Sequence, residues 1–251
     1  MPTRTDVFRD LHHGDGPLLL ANVWDRGSAR MLARLGFGAL ATTSSGYASS
    51  LGLRDGQLSR DQALEHAFDL AQASLLPVNA DLEDGFGETP EAVAQTFAAA
   101  AKSDLAGASI EDFTRDMASP IFPFDVAKAR VEAAVEAAGS SLVVTARCER
   151  HLHGHTDLGP TIERLQAYAE LGADVVYAPG LTELNTIREL IRSVDVPVNV
   201  LASPEGPTVA ELAEAGVARI SVGGWFYRSA MLALKRAARE WLEQGTHGFM
   251  E

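Results

Sequence analysis

The chain alternates short, continuously apolar runs with longer stretches of helical periodicity. Eight runs stand out: LLLANV at 18–23, GALATTS at 38–44, PVNAD at 77–81, ASIED at 108–112, LVVTAR at 142–147, DVVYAPG at 174–180, PVNVLA at 197–202 and RISVGG at 219–224. A run that is apolar at nearly every position, rather than at every second one, belongs to a strand covered on both faces, as in a parallel sheet flanked by helices. The intervening stretches carry helix starts. Ser59 precedes RDQALEHAFDLAQASLL, Thr89-Pro90-Glu91 opens AVAQTFAAAAK, and Thr182 precedes ELNTIRELIRS; a side-chain oxygen before the first turn, or a proline inside it, satisfies or removes the free N–H groups there. Several helical stretches end in glycine, as in LARLGFGA and ELGADV, the residue that best adopts a left-handed cap. The strand–helix unit recurs about every 30 residues, and eight of them predict a (β/α)8 TIM barrel. We read residues 1–251 as one such domain. A doubly wound open sheet is the alternative, but it calls for a Gly-rich first turn, and the residues after LLLANV read WDRGSA.

Composition narrows the function. With 46% hydrophobic and 22% charged residues the chain has ample material for a core, and no apolar run reaches the roughly 18–20 residues that span a bilayer. Asp and Glu number 34 against 21 Lys and Arg, a formal charge of -13. Such a field repels nucleic acid and anionic lipid, so neither is an expected partner. A small anionic substrate would need a local cation. Cys148 is the sole cysteine, and MPTRTDVFRDLHHG has no apolar segment of the signal-peptide kind; a cytoplasmic protein is the expectation.

In a barrel, chemistry sits at the carboxyl ends of the strands. The third run ends Asp81-Leu82-Glu83-Asp84-Gly85-Phe86-Gly87, which would set Asp81 and Glu83 on one face of an extended chain, and the fourth ends Ile110-Glu111-Asp112. Three carboxylates at one mouth repel unless a cation holds them, and an oxygen-only set suits Mg2+, or alternatively Mn2+. Asp84 and Asp112 are as readily helix caps. Arg147 at the end of the fifth run offers a fork for a substrate carboxylate, or a salt bridge to those acids. Asn199 is a polar residue inside an apolar run. Thr43, Ser44, Ser45 and Gly46, followed by Tyr47, form a loop whose hydroxyl and N–H groups suit an oxyanion.

NVWDRGSARMLARLGFGALATTSSG, the Asp-x-Glu-Asp-Gly-Phe-Gly segment, SIEDF, TARCE and PVNVL occur in an order and spacing that resemble the isocitrate lyase and phosphoenolpyruvate mutase superfamily, over roughly residues 15 to 235. The resemblance implies a (β/α)8 barrel, Mg2+ dependence, and cleavage or formation of carbon–carbon or carbon–phosphorus bonds next to a 2-oxo acid. It implies that Asp81, Glu83 and Glu111 take the metal positions, Glu83 where an Asp is usual, with Asp55 acting through the metal's water shell. Thr43, Ser44, Ser45 and Gly46 would hold the 2-oxo-carboxylate, completed by Arg147 and Asn199. The Lys-Lys/Arg-Cys-Gly-His loop of the isocitrate-type lyases is absent: the stretch after SIED reads FTRDMASPIFPFD. The lysine-bearing gating loop of the mutases is missing too. What remains resembles the oxaloacetate-decarboxylase-like branch, with water, Tyr47 or Arg115 delivering the proton and Arg147 balancing charge. Carbon–phosphorus chemistry is the alternative, and a barrel that binds a 2-oxo acid without turning it over is a third reading.

Three further features remain. His151, His153 and His155 share a face if extended, yet lie in a loop with no acid to complete a site. Gly223-Gly224 either binds phosphate or simply turns the chain. The last helix, WFYRSAMLALKRAAREWLEQG, is apolar around much of its circumference, which asks for a second surface; the resemblance implies that this surface is another subunit, in a homo-oligomer, dimer or tetramer.

Overall fold

A computed structural model describes residues 2–250. Eight parallel strands close into a barrel in sequence order: β1 (Leu18–Val23), β2 (Leu40–Thr42), β3 (Val78–Asp81), β4 (Gly107–Glu111), β5 (Val143–Arg147), β6 (Val175–Tyr177), β7 (Val198–Leu201) and β8 (Arg219–Ser221). Each of the eight apolar runs coincides with one strand, β4 starting one residue before its run, and β8 pairs back onto β1 through Leu18–Arg219 to Leu20–Ser221. Around them lie α1 (Arg4–Asp10), α2 (Arg26–Arg34), α3 (Ser44–Ser50), α4 (Arg60–Ser74), α5 (Pro90–Ala101), α6 (Phe124–Ala138), α7 (Gly159–Glu170), α8 (Leu184–Arg192), α9 (Val209–Glu214) and α10 (Trp225–Gln244).

The start signals act as read at two helices. Ser59 caps α4, accepting from the Gln62 amide while the Gln62 side chain accepts from the Ser59 amide, and Thr89 caps α5 with Pro90 in its first turn. At α8 the start is one residue later than expected, with Glu183 in the cap position and no side-chain cap bond. The run from Thr43 to Tyr47 is not a loop: Thr43 caps α3, its hydroxyl accepting from the Gly46 amide at 3.3 Å.

The main core lies between strands and helices, and alanines such as Ala21, Ala80, Ala108 and Ala146 hold the sheet side of it. A second cluster closes the amino-terminal end of the barrel, where Phe8 of α1 is fully buried among Leu18, Leu20, Ala39, Ala41, Ala106, Val143 and Val175. Gly107 is what lets Phe8 enter: a Cβ there would stand 2.8 Å from the Phe8 ring and 2.8 Å from the Val143 carbonyl oxygen. The register sets Glu111, Arg147, Tyr177, Asn199 and Arg219 side by side on successive strands, so these five side chains share one face of the sheet. No helix among the described residues is long and apolar enough to cross a membrane.

Candidate active site

A cavity of about 740 Å³ opens at the carboxyl ends of the strands. Its wall includes Thr43, Ser44, Ser45, Asp55, Asp81, Glu83, Glu111, Arg115, Arg147 and Asn199. Ten of the residues singled out from sequence are thus brought together. Gly46 and Tyr47 are not among the lining residues. The helical start at Ser44 explains both: the Gly46 N–H is used within the α3 cap, and Tyr47, almost one turn on, stacks on His66 of α4 with ring centroids 3.6 Å apart. Tyr47 is therefore no proton donor to this cavity.

The acids are held by arginines. Arg147 reaches Asp81 through Nη1 (3.2 Å), Glu111 through Nη2 (3.0 Å) and Glu149 through Nε (2.9 Å). Burial alone would lower its pKa, but Glu149, Glu111 and Asp81 together raise it well above the ordinary value. The salt-bridge reading of Arg147 is the one the geometry takes, and every nitrogen of the fork is engaged. On its other carboxylate oxygen Asp81 accepts from the Ser44 amide (3.1 Å) and hydroxyl (2.8 Å).

Glu83 does not continue an extended strand from Asp81. Strand β3 ends at Asp81, and Glu83 has φ 49°, followed by Gly85 and Phe86 also at positive φ. Its partner Arg115 sits at φ 65° and contacts Glu83 Oε2 at 3.2 Å and Asp84 Oδ1 at 2.6 Å, while donating to the Gly56 carbonyl at 3.1 Å. Two non-glycine residues in the left-handed region, in contact at the cavity wall, mark a strained rim that the surrounding fold must hold in place. Burial pushes the Glu83 carboxyl up to about 8, Asp81 adding to the rise and Arg115 opposing it. Glu111 is also raised, by burial first and by neighbouring acids.

These acids fit a divalent cation in donor chemistry. The Oε1 of Glu83 is buried with no hydrogen-bond partner, and an orphaned carboxylate oxygen beside Asp81 and Glu111 is a place for a hard cation rather than for a proton donor. Among the described residues no three His, Cys, Asp or Glu side chains stand gathered as a ready chelate; Arg147 and Arg115 occupy the positions between them.

The remaining candidates resolve as follows. Asp112 is no cap: at 2% exposure it accepts from the Glu149 amide (2.8 Å), Arg164 (3.0 Å) and Tyr168 (3.0 Å). Asp84 joins Arg115 and lies 4.0 Å from Arg130. The histidine triplet divides: His151 hydrogen-bonds Thr161, and His153 stacks on Phe113 at the cavity edge. Gly223 turns the chain at φ 50°, and its amide, with that of Val222, donates to Asn22 Oδ1. Three residues escaped notice in the sequence: Asn22, Glu149 and Arg219 all line the cavity. Glu149 had a signal, two residues beyond Arg147 in TARCE; Asn22 and Arg219 lie inside apolar runs and had none.

The comparisons with known proteins agree with the barrel. Residues 8–242 match the phosphoenolpyruvate phosphomutase family model. The chain belongs to this family. A candidate lyase/mutase of Burkholderia cenocepacia J2315 superposes with a TM-score of 0.94 at 47% identity, covering 98% of this chain and 90% of that one. An uncharacterised protein of Mycobacterium tuberculosis is 36% identical over 92% of this chain and 87% of its own length. Oxaloacetate decarboxylase 2 of Pseudomonas fluorescens is 29% identical over 96% of this chain and 85% of its own. As a member of the family the chain is a lyase or mutase enzyme in kind.

Proposed function

We propose that this enzyme cleaves a carbon–carbon bond adjacent to a small 2-oxo acid, with oxaloacetate decarboxylation as the concrete reaction. The observation that carries the reading is that Asp81, Glu83 and Glu111 all line one cavity, with the buried Glu83 Oε1 left without a partner. In this reading Asp81, Glu83 and Glu111 hold Mg2+, or Mn2+ in its place, and Asp55 at the rim supports it through water. When bound, the ion supplies Lewis acidity at the 2-oxo group.

The chain's own residues supply the rest. Ser45, at the start of α3, orients the substrate carboxylate, while both donors of Ser44 hold Asp81 in place. Arg147 keeps Asp81, Glu111 and Glu149 together, which would otherwise repel, and Arg115 ties the loops carrying Gly56, Glu83 and Asp84 into one rim. In oxaloacetate the C3–C4 bond breaks, CO2 departs, and its bonding electrons form the C2–C3 enolate, which takes one proton at C3 to give pyruvate. Arg115 is the one suggested side-chain donor that lines the cavity, but its Nη atoms are engaged on Gly56, Glu83 and Asp84, so we assign the proton to water.

The single-domain reading, a cytoplasmic location and homo-oligomerisation belong to the same proposal. A fully buried Cys148 suits a reducing compartment. Helix α10 has no fully buried side chain, although Phe226 packs against the core, and it exposes Met231, Leu232, Leu234, Trp241 and Leu242, a face that a second subunit would cover. A monomer mass in solution would remove that part.

The test is a proton and phosphorus NMR time course with oxaloacetate, 2-methylisocitrate and phosphonopyruvate in separate tubes, each with Mg2+ or excess EDTA. EDTA-sensitive pyruvate formation from oxaloacetate is expected, and Asp81→Ala should abolish it. Phosphate release from phosphonopyruvate would move the reading to carbon–phosphorus chemistry. Three tubes equal to their protein-free controls would point to a barrel that binds without turnover.

A further inference from the structure

Arg219 opens β8 and turns its side chain into the barrel, where it is 2% exposed and lines the inner end of the cavity. Its nitrogens rest on neutral acceptors: Nε on Asn199 Oδ1 (2.9 Å), Nη1 on His12 Nε2 (3.2 Å) and Nη2 on Thr145 Oγ1 (3.0 Å). His12 must be the acceptor, because a guanidinium only donates and His12 Nδ1 is already bonded to the Phe8 carbonyl at 2.7 Å. Among the described residues no carboxylate forms an ion pair with Arg219. The other buried arginines differ in this respect: Arg130 lies 4.0 Å from Asp84 and Arg164 lies 3.0 Å from Asp112. A buried charge is ordinarily paired, since desolvation penalises it heavily.

The cation expected to receive the substrate is, by contrast, fully engaged. Arg147 has each arm of its fork on an acid. The cavity therefore has a committed cation at its mouth and an uncompensated one at its floor. Between them lies Asn199. Because Arg219 has no acceptor to offer, the Asn199 amide must present Oδ1 to it, which sends Nδ2 toward Ser221 Oγ at 3.0 Å. Asn199 and Ser221 both line the cavity, so the donor edge of the amide is fixed on a cavity-lining hydroxyl with a positive charge behind it.

We infer that Arg219 is a positioning residue for the anionic head of the substrate, locking the Asn199 amide with its N–H edge on the Ser221 hydroxyl and supplying the free positive charge that Arg147 cannot. The inference rests on the 2-oxo-acid reading. It gives the floor of the barrel a role in drawing a carboxylate inward, where the sequence had assigned that role to the mouth.

The probe is oxalate, a planar dianion shaped like the pyruvate enolate, titrated calorimetrically in the presence of Mg2+ against the wild-type protein, Arg219→Met, Arg219→Gln and Arg219→Lys. Both neutral variants should bind oxalate about 10- to 100-fold more weakly, the span of a charge-assisted hydrogen bond, and Arg219→Lys should recover part of the loss. Arg219→Gln keeps a donor for Asn199 and carries the test if Arg219→Met does not fold. The rise in Tm that oxalate produces should shrink in both neutral variants, whatever their ligand-free Tm. Unchanged oxalate affinity in a folded neutral variant overturns the inference and leaves Arg219 a structural residue. A wild-type protein that binds no oxalate overturns the 2-oxo-acid reading itself, a distinct outcome seen before any variant is made.

Discussion

Replacing Glu83 by Gln separates the electrostatic burden of this side chain from its shape. The folded protein keeps the Glu83 proton until about pH 8, against an ordinary value of 4.5, chiefly because the group is buried. Across that window the folded state binds more protons than the unfolded chain, so wild-type stability falls as pH rises from about 5 to about 8. At about 1.4 kcal/mol per pH unit, the gap corresponds to roughly 5 kcal/mol once Glu83 is ionised in the metal-free protein. Gln keeps the length, retains a carbonyl for Arg115, and never ionises. The two proteins should melt alike near pH 5 and diverge by about 10–20 °C at pH 9, taking about 2–4 °C per kcal/mol for a chain of this size. The variant should be the more stable. Differential scanning calorimetry in EDTA at several pH values reads this directly, and adding Mg2+ at pH 8 should raise the wild-type Tm more than that of Glu83→Gln. Parallel pH curves, or a variant less stable at pH 9, would refute the electrostatic account of this residue.

Other expectations follow from the same geometry. Asp112→Asn leaves the buried Arg164 without its carboxylate partner, and urea unfolding should show a loss of about 3–5 kcal/mol. Gly107→Ala drives a methyl group into Phe8 and a backbone carbonyl; a loss of about 1–3 kcal/mol is expected from overpacking, read by the same denaturation. The Cys148 thiol is fully buried and its pKa is raised by that burial and by Asp112, so Ellman's reagent should label the native protein only as fast as it unfolds. Rapid stoichiometric labelling at pH 8 would contradict that placement.

Much of the fold was legible because continuous apolar runs have few other uses. PVNAD, LVVTAR and PVNVLA each hold a strand near the limits the pattern suggests, and the polar residue ending a run, Asp81 or Arg147, reaches the mouth because barrel strands all point one way. Failures arose where tertiary contact overrides local pattern. Glu83 lies on the cavity wall through a left-handed backbone that no periodicity announces, fixed by its contact with Arg115 from a loop thirty-two residues later. Tyr47 looked like a loop residue beside the mouth until Thr43 capped a helix and carried it to His66. Arg219 begins an apolar run, and a terminal arginine there reads as solvent-facing. Only the closure of β8 onto β1 and the register with Asn199 turn it inward. Asn22 escaped for the same reason, since its partners Val222 and Gly223 are two hundred residues away.

The central claim is a site that stabilises the enolate of a 2-oxo acid, and the most direct measurement is exchange of the pyruvate methyl protons with D2O, followed by proton NMR. This reaction reports enolate formation whatever group leaves in the physiological substrate. The account predicts loss of the methyl signal faster than in protein-free buffer containing the same Mg2+, abolished by EDTA and by Asp81→Ala. A methyl signal that decays at the buffer rate with Mg2+-loaded wild-type protein would contradict it.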